Sequence, residues 1–309
     1  MTEDEVIIVD DIPAEDYRAM VGESVRYALL SLPFTVNRMG IGRLQKRALN
    51  IAKGKISEKL FEYFCRKNEI PIETKSCETP FWTIDRRDFT LLDGEWDLKN
   101  NFYYSETEPI RSFNYTDFPA LVPNRFAGDQ WSKRSHKETG ARFVGFLFTF
   151  LRMEIGKKGS SFFNLHLSEK QHQLITGLCK HYNGQPQHQA PFSESWFWNE
   201  MGRLGGQSFF KINFRPSLII TGVANRNYWH LFRNTGPGAS QNHFLEHLTP
   251  QWYSRSARGV LNFMNGTIWT KITNATLPVG QLPSFLSLYP RLRENIYCAH
   301  IKKSSAASR

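Results

Sequence analysis

Apolar side chains recur at helical spacing in the first quarter of the chain. This spacing predicts helices over 14–32, 41–53 and 57–67. The third helix carries an apolar stripe, which is formed by Ile56, Leu60, Phe61 and Phe64. A stripe of this kind is typical of a helix that packs one face against a core.

Strand patterns follow further along the chain. Residues 141–153 are apolar at nearly every position, which predicts a strand buried on both faces. A second strand is predicted over 161–167 and a third around 208–223. Between them, Ser168 and Gln171 form a capping-box pattern, and we expect the helix that follows to end near Tyr182.

Two segments, 86–99 and 260–270, predict β-hairpins. Their turn signals are Asp93-Gly94 and Asn265-Gly266, because both central residues of a type I′ turn need a positive φ. Val6–Val9 would suit a further short strand. The acidic segment around it also suits a disordered tail, a helix packed on a basic body, or a mimic of nucleic acid.

The first hairpin separates apolar and polar side chains, because side chains alternate along a strand. One face carries Phe89, Leu91, Trp96 and Leu98. The other carries Asp88, Thr90, Glu95, Asp97 and Lys99. With a turn at Asp93-Gly94, Asp88 would oppose Lys99. Two nearby carboxylates can hold a hard divalent cation, and an ammonium group can orient a water molecule. The same pattern also suits a solvated face with a cross-strand Asp88–Lys99 pair.

Asp88, eight intervening residues and then Asp97-Leu98-Lys99 resemble the PD-(D/E)XK signature of the restriction-endonuclease-like nucleases. The proline of that signature is absent, since Arg87 precedes Asp88. The resemblance covers about residues 50–180. It implies an α/β fold with a restriction-endonuclease-like core, in which helices flank a mixed central β-sheet. To this core the chain would add a β-containing C-terminal lobe.

The resemblance also implies roles for four residues. Asp88 and Asp97 would bind Mg²⁺, or Mn²⁺ in its place, and Lys99 would position and activate the attacking water. Glu58, on the helix before the hairpin, would assist, with Glu62 as its substitute. Glu58 also suits the exposed first turn of a helix. The reaction would be phosphodiester hydrolysis that leaves 5′-phosphate and 3′-hydroxyl ends.

The charge of the chain points to a polyanionic partner. Lysine and arginine number 39 against 29 acidic residues, for a net charge of +10, although residues 1–24 carry eight acids and one arginine. A basic body attracts phosphates through counterion release. Residues expected to contact DNA near the hairpin are Arg43, Lys46, Arg47, Lys53, Lys55, Arg86 and Arg87. Such a cluster also suits a solubilising helix face.

A polar, proline-containing stretch at 183–195 predicts a boundary in the chain. We expect an acidic segment over 1–24, a nuclease core over 25–182 and a C-terminal lobe over 196–309. Arginine and amide side chains read base edges. The lobe offers such residues at Asn225, Arg226, Asn227, Arg255 and Arg258, where ordinary surface polarity is the alternative. The polar stretch 101–139 is long for a loop and could contact DNA.

Other classes of protein find little support. No apolar run approaches the roughly 20 residues of a membrane-spanning helix, and the N-terminus lacks the pattern of a signal peptide. Four cysteines lie far apart, as expected of free thiols in a reducing cytoplasm. Residues 243–247 fit the H-x-x-E-H zinc motif, but they allow only a short helix. No Walker loop and no G-x-S-x-G elbow is present.

Taken together, these patterns predict a cytoplasmic, Mg²⁺-dependent endonuclease that cuts double-stranded DNA at a specific sequence, as type II restriction enzymes do. A homodimer would match a palindromic site by symmetry. Two alternatives stay open. A structure-selective or repair nuclease would use the same catalytic residues, and a non-catalytic DNA-binding protein would need only the basic surface.

Overall fold

A mixed β-sheet, with helices on one side and a smaller sheet on the other, forms the centre of this α/β fold. It is described from a computed structural model, which covers residues 1–35, 44–84, 87–105, 114–123, 143–154, 164–205, 210–211, 216–225, 228–234, 253–255, 261–263, 266–268 and 274–290. The α-helices in these ranges are α1 (Ala14–Thr35), α2 (Leu44–Lys67), α3 (Glu169–Tyr182) and α4 (Glu194–Arg203). The strands are β1 (Ile7–Val9), β2 (Phe89–Leu91), β3 (Gly94–Ser105), β4 (Pro119–Pro123), β5 (Phe143–Glu154), β6 (Asn164–Leu165), β7 (Phe210–Lys211), β8 (Ser217–Asn225), β9 (Arg233–Asn234), β10 (Tyr253–Arg255), β11 (Leu261–Phe263), β12 (Gly266–Ile268) and β13 (Asn274–Pro278).

The strand order of the central sheet is β1-β8-β5-β3-β12-β11-β10, with β2 paired to β3. Strands β3 and β5 run parallel, from the Glu95–Phe143 pair to the Ser105–Glu154 pair. Strand β8 is antiparallel to β5 and to β1, so the sheet is mixed. Strands β4, β13 and β9 form the smaller sheet.

Strand β5 has apolar side chains on both of its faces. Leu147 and Leu151 face the helices, in a core that we call the helix-side core. Phe146, Phe148 and Phe150 face the smaller sheet, in a core that we call the sheet-side core. All five are at most 1% exposed, and burial of each contributes about 1.5–3 kcal/mol. The prediction of a strand buried on both faces is confirmed, with bounds of 143–154 rather than 141–153.

Helix α2 replaces the two helices predicted over 41–53 and 57–67. Ala48, Ala52, Ile56, Leu60 and Phe64 are all buried and follow one another at a spacing of four. Because this stripe continues through the predicted gap, packing holds the segment in one helix despite Gly54.

Other predicted elements differ in length. Among the described residues, the strand expected over 161–167 is represented by β6, and that around 208–223 by β7 and β8. The polar stretch 101–139 is not wholly irregular, because it contains the end of β3 and all of β4. The capping box of Ser168 and Gln171 is confirmed, and α3 ends at Tyr182 as expected.

The central sheet takes strands from distant parts of the chain. Strand β1 comes from the acidic segment and confirms the short strand expected there, while β8 follows the polar stretch 183–195. Both pair within the sheet that contains β3 and β5. The predicted division at 183–195 stays a prediction, and the described part of the C-terminal region contributes to the central sheet.

Two further sequence expectations bear on the fold. Cys65, Cys77 and Cys179 are free and buried, as predicted, while Cys298 lies outside the described residues. Burial raises the pKa of all three thiols, and that of Cys179 rises to about 12. Of the helices in the described ranges, none has the length and apolar character needed to cross a membrane.

Gly145 allows β5 and β8 to approach closely. A Cβ atom at this position would lie 2.1 Å from the carbonyl oxygen of Ala224. We therefore expect Gly145→Ala to lower the free energy of unfolding by more than about 2 kcal/mol, because backbone must shift. The control is Gly177→Ala in α3, which meets nothing within 4 Å and should stabilise the helix by up to ~1 kcal/mol. Urea denaturation of both variants measures the difference. Equal stabilities would contradict the close approach.

Candidate active site

The hairpin of β2 and β3 turns at Leu92 and Asp93, whose φ angles are 50° and 61°. Leu91 pairs with Gly94, so the turn predicted at Asp93-Gly94 was wrong by one residue. The observed register sets Phe89 against Trp96, and the indole N–H donates to the Leu91 carbonyl at 3.1 Å. These contacts stabilise the observed register, even though the alternative register would place Gly94 in the turn, where glycine is favoured.

The second predicted hairpin shows the same one-residue difference. Strands β11 and β12 pair Phe263 with Gly266, so Gly266 belongs to the strand pairing and not to the predicted turn. In both hairpins the glycine becomes the first residue of the second strand. In the first hairpin the strand thus begins directly after two residues in the left-handed region, Leu92 and Asp93.

The predicted division of side chains between the two faces of the first hairpin is confirmed for the apolar set and for Asp97 and Lys99. Moving the turn by one residue changes each cross-strand pair but leaves the same side chains on each face. The apolar set, which is Phe89, Leu91, Trp96 and Leu98, is buried in the helix-side core. Asp97 and Lys99 lie on the opposite face, beside Phe146 and Phe148 of β5, whereas Asp88 lies on the helix side, next to residues of α2.

Asp97 and Lys99 form an ion pair on that face. Their side chains are only 8% and 9% exposed, and the Lys99 ammonium lies 5.2 Å from the centre of the Phe146 ring. Lys99 thus forms its ion pair with a residue of its own strand, and the cross-strand Asp88–Lys99 pair does not form. The corrected register explains this, because Asp88 no longer opposes Lys99.

Asp88 lies just before β2 and is held against the backbone of β3. Its N–H donates to the Trp96 carbonyl at 2.9 Å, and its Oδ2 accepts from the Leu98 N–H at 2.6 Å. Leu98 stands between Asp97 and Lys99 in sequence. The three predicted catalytic side chains of the hairpin are therefore attached to the same short stretch of β3.

A cavity of about 660 Å³ adjoins Asp88 on the helix side of the sheet. Glu58 and Glu62 of α2 line it together with Asp88 and Leu98, and Glu58 pairs with Lys55 at 2.7 Å. The aromatic part of its wall is Tyr27, Phe61, Phe81, Trp82, Phe89 and Phe192. No local sequence pattern predicts this cavity, since its wall combines α1, α2, the hairpin and residues near 190.

The structure thus brings the predicted site residues together in two groups. Glu58 shares a cavity with Asp88, while Asp97 and Lys99 form their pair on the other face of β3. Within the ranges described above, no three acidic, histidine or cysteine side chains are grouped to hold a metal ion. The two hairpin carboxylates are the donors that a magnesium site would use there.

The predicted DNA-contacting residues are spread over several elements. Lys46 is exposed on α2, and Arg47 is half-buried nearby. Lys55 and Arg87 already pair with carboxylates, those of Glu58 and Glu95. Asn225 ends β8 and Arg255 ends β10. Arg43, Arg86, Arg226, Asn227 and Arg258 lie outside the described residues, as does the zinc-motif segment 243–247.

Lys53 differs from the other basic residues of α2. Its ammonium lies 4.2 Å from the centre of the Phe102 ring on β3. Burial, together with the charge of Lys46, lowers the pKa of Lys53 to about 8. Sequence reasoning included Lys53 in the basic cluster but had no means to detect its burial, because that depends on where α2 lies on the sheet.

Comparison of the chain with protein-family models, curated proteins and solved structures finds no match. The likeness to PD-(D/E)XK nucleases therefore rests on the hairpin residues themselves.

The Asp97–Lys99 pair should be strongly coupled in stability. Asp97→Ala and Lys99→Met each leave one charge buried without its partner, which typically costs about 3–5 kcal/mol. The double variant removes both charges, so we expect it to lose clearly less than the sum of the two single variants. Chemical denaturation of the four proteins gives the coupling. Additive losses would mean that the two groups do not interact.

The lowered pKa of Lys53 predicts a dependence of stability on pH. The unfolded chain, with a pKa near 10.5, binds more protons than the folded protein between about pH 8 and 10.5. Stability contributed by Lys53 should therefore rise over this window, by roughly 3 kcal/mol at most. Lys53→Met removes this contribution. Denaturation midpoints of both proteins across the window measure it, and parallel curves would contradict the burial of the ammonium.

Proposed function

We propose that this protein is a Mg²⁺-dependent endonuclease for double-stranded DNA, with a restriction-endonuclease-like core. One observation carries the proposal, namely a hairpin in which the Leu98 N–H holds the Asp88 carboxylate while Asp97 and Lys99, the sequence neighbours of Leu98, pair with each other. Two carboxylates and one ammonium on adjacent positions of a hairpin match the chemistry of the PD-(D/E)XK signature.

The donor set fits a magnesium ion. Mg²⁺ binds oxygen ligands and typically takes one or two carboxylates, with water completing its coordination. Asp88 and Asp97 would supply those carboxylates. Bound there, the ion would act as a Lewis acid on the phosphodiester and lower the pKa of a bound water.

Lys99 would position the attacking water. An ammonium group has three donors, and the pair with Asp97 uses one of them. The others would hold the water and a phosphate oxygen, where positive charge stabilises the charge that develops in the transition state. The ion pair with Asp97 holds the Lys99 ammonium in place. The Leu98 N–H keeps the carboxylate of Asp88 at the same level of the strand.

Glu58 would assist from the helix side. It lines the cavity that reaches Asp88, and Lys55 holds its carboxylate in place. Glu62 lines the same cavity and is the alternative acid. In this arrangement Asp88 connects the two groups, because it borders the cavity and is attached to the backbone between Asp97 and Lys99.

The choice of DNA as substrate rests on charge. The chain carries a net charge of +10, and the basic residues of α2 precede the hairpin. Sequence specificity would come from the Asn225–Asn227 segment and from arginines such as Arg255. A homodimer that cuts a palindromic site follows from the same proposal.

The first experiment is incubation of the purified protein with plasmid DNA in Mg²⁺ and in EDTA. We expect discrete fragments that form only with Mg²⁺. Asp97→Asn should lower the cleavage rate by at least about 100-fold, while DNA binding in EDTA persists. Asp93→Asn is the matched control, because it makes the same chemical change at the exposed turn of the same hairpin. It should cut at the wild-type rate.

Each other outcome has a definite meaning. Cleavage that follows branched structure instead of sequence would make the protein a structure-selective nuclease. DNA binding without cleavage under any metal would favour the non-catalytic binding protein. Cleavage by Asp97→Asn at the wild-type rate would show that the hairpin residues are not catalytic.

A further inference from the structure

Helix α2 carries five lysines, of which Lys46 is exposed. Of the other four, three have a carboxylate partner. Lys55 pairs with Glu58, Lys59 with Glu23 and Lys67 with Asp11. Lys53 is the exception. Within the described part of the chain its ammonium makes no ion pair and contacts the ring of Phe102.

This arrangement works against the stability of the free protein. A buried ammonium without a carboxylate loses hydration that a ring contact only partly replaces. Lys46 lies two turns earlier on the same side of α2 and adds a second positive charge, which further lowers the pKa of Lys53. An anion bound beside both lysines would neutralise the repulsion between them.

The position of Lys53 indicates which anion. Phe102 and Leu98 both face the helix side of β3 and lie four residues apart, or roughly 13 Å along the strand. The Leu98 N–H holds Asp88. The Lys53 ammonium is therefore on the helix side, at about the axial length of four base pairs from Asp88 along β3.

We propose that Lys53, with Lys46, binds a backbone phosphate of the DNA about four base pairs from the scissile position. This inference rests on the proposed function, because it takes the hairpin as the point of cleavage. Lysine serves as a point charge for phosphate, and the phosphate supplies the counter-charge that the fold does not.

The test separates stability from binding. Lys53→Met removes a charge that burdens the fold, so its melting temperature should rise. If the ammonium binds a phosphate, the same variant should bind a DNA duplex about tenfold more weakly in EDTA. The slope of log K against log salt should also fall in magnitude by about 0.9, the value for one phosphate contact. Fluorescence anisotropy over a salt series measures both quantities.

Lys59→Met is the matched control. It removes the same charge from the same helix, but from a lysine that is 41% exposed and paired with Glu23. Its salt slope should stay within error of the wild type, and its melting temperature should change little. Equal losses of affinity for the two variants would mean that Lys53 contributes only to the overall positive charge of the protein, and would overturn the proposal.

The remaining outcomes distinguish this proposal from the proposed function. Unchanged DNA affinity and salt slope for Lys53→Met would overturn the phosphate site, even if cleavage is established. If Lys53→Met selectively loses DNA affinity but the protein never cuts DNA, the phosphate site is supported and the proposed nuclease function is wrong. If inorganic phosphate raises the melting temperature of the wild type as much as the duplex does, and Lys53→Met abolishes both effects, the ligand is a small phosphate. The backbone assignment is then wrong.

Discussion

The parallel pairing of β3 with β5 is the constraint on which the rest of the fold depends. It runs the full length of both strands and leaves β3 between the helix-side core and the sheet-side core. A polar side chain on such a strand must find a partner within the protein, because water does not reach it freely. Asp97 and Lys99 find that partner in each other.

The same constraint makes the hairpin suitable for chemistry. An ion pair that is less than a tenth exposed keeps a fixed geometry, since its side chains cannot exchange it for water without loss of free energy. Asp88 gains a fixed position by a different route, through a backbone N–H of β3. Rigid strands hold functional groups more accurately than loops do. Three polar side chains are thus fixed by one strand and its neighbours.

Local pattern was enough to predict which hairpin side chains share a face. The period of two survived an error in the turn, because Leu92 and Asp93 took the left-handed positions and every pair moved together. It was not enough to predict which polar groups meet. The partner of Lys99 depends on register, and the position of Glu58 depends on how α2 lies on the sheet. Strand β8 pairs with both β5 and β1, and β1 lies more than 200 residues before β8 in the chain. No local sequence pattern predicts such a pairing.

The short strand β1 has a consequence for how the molecule behaves in crowded solution. In the described part of the sheet it pairs with β8 alone, so its other side is the end of the sheet. Exposed sheet edges are templates for pairing between molecules, and short strands with charged neighbours oppose it. Three residues offer few hydrogen bonds, and Asp4, Glu5, Asp10 and Asp11 stand at both ends of the strand. A second copy that approached edge to edge would bring its own four acids against these, and repulsion between like charges would oppose the pairing.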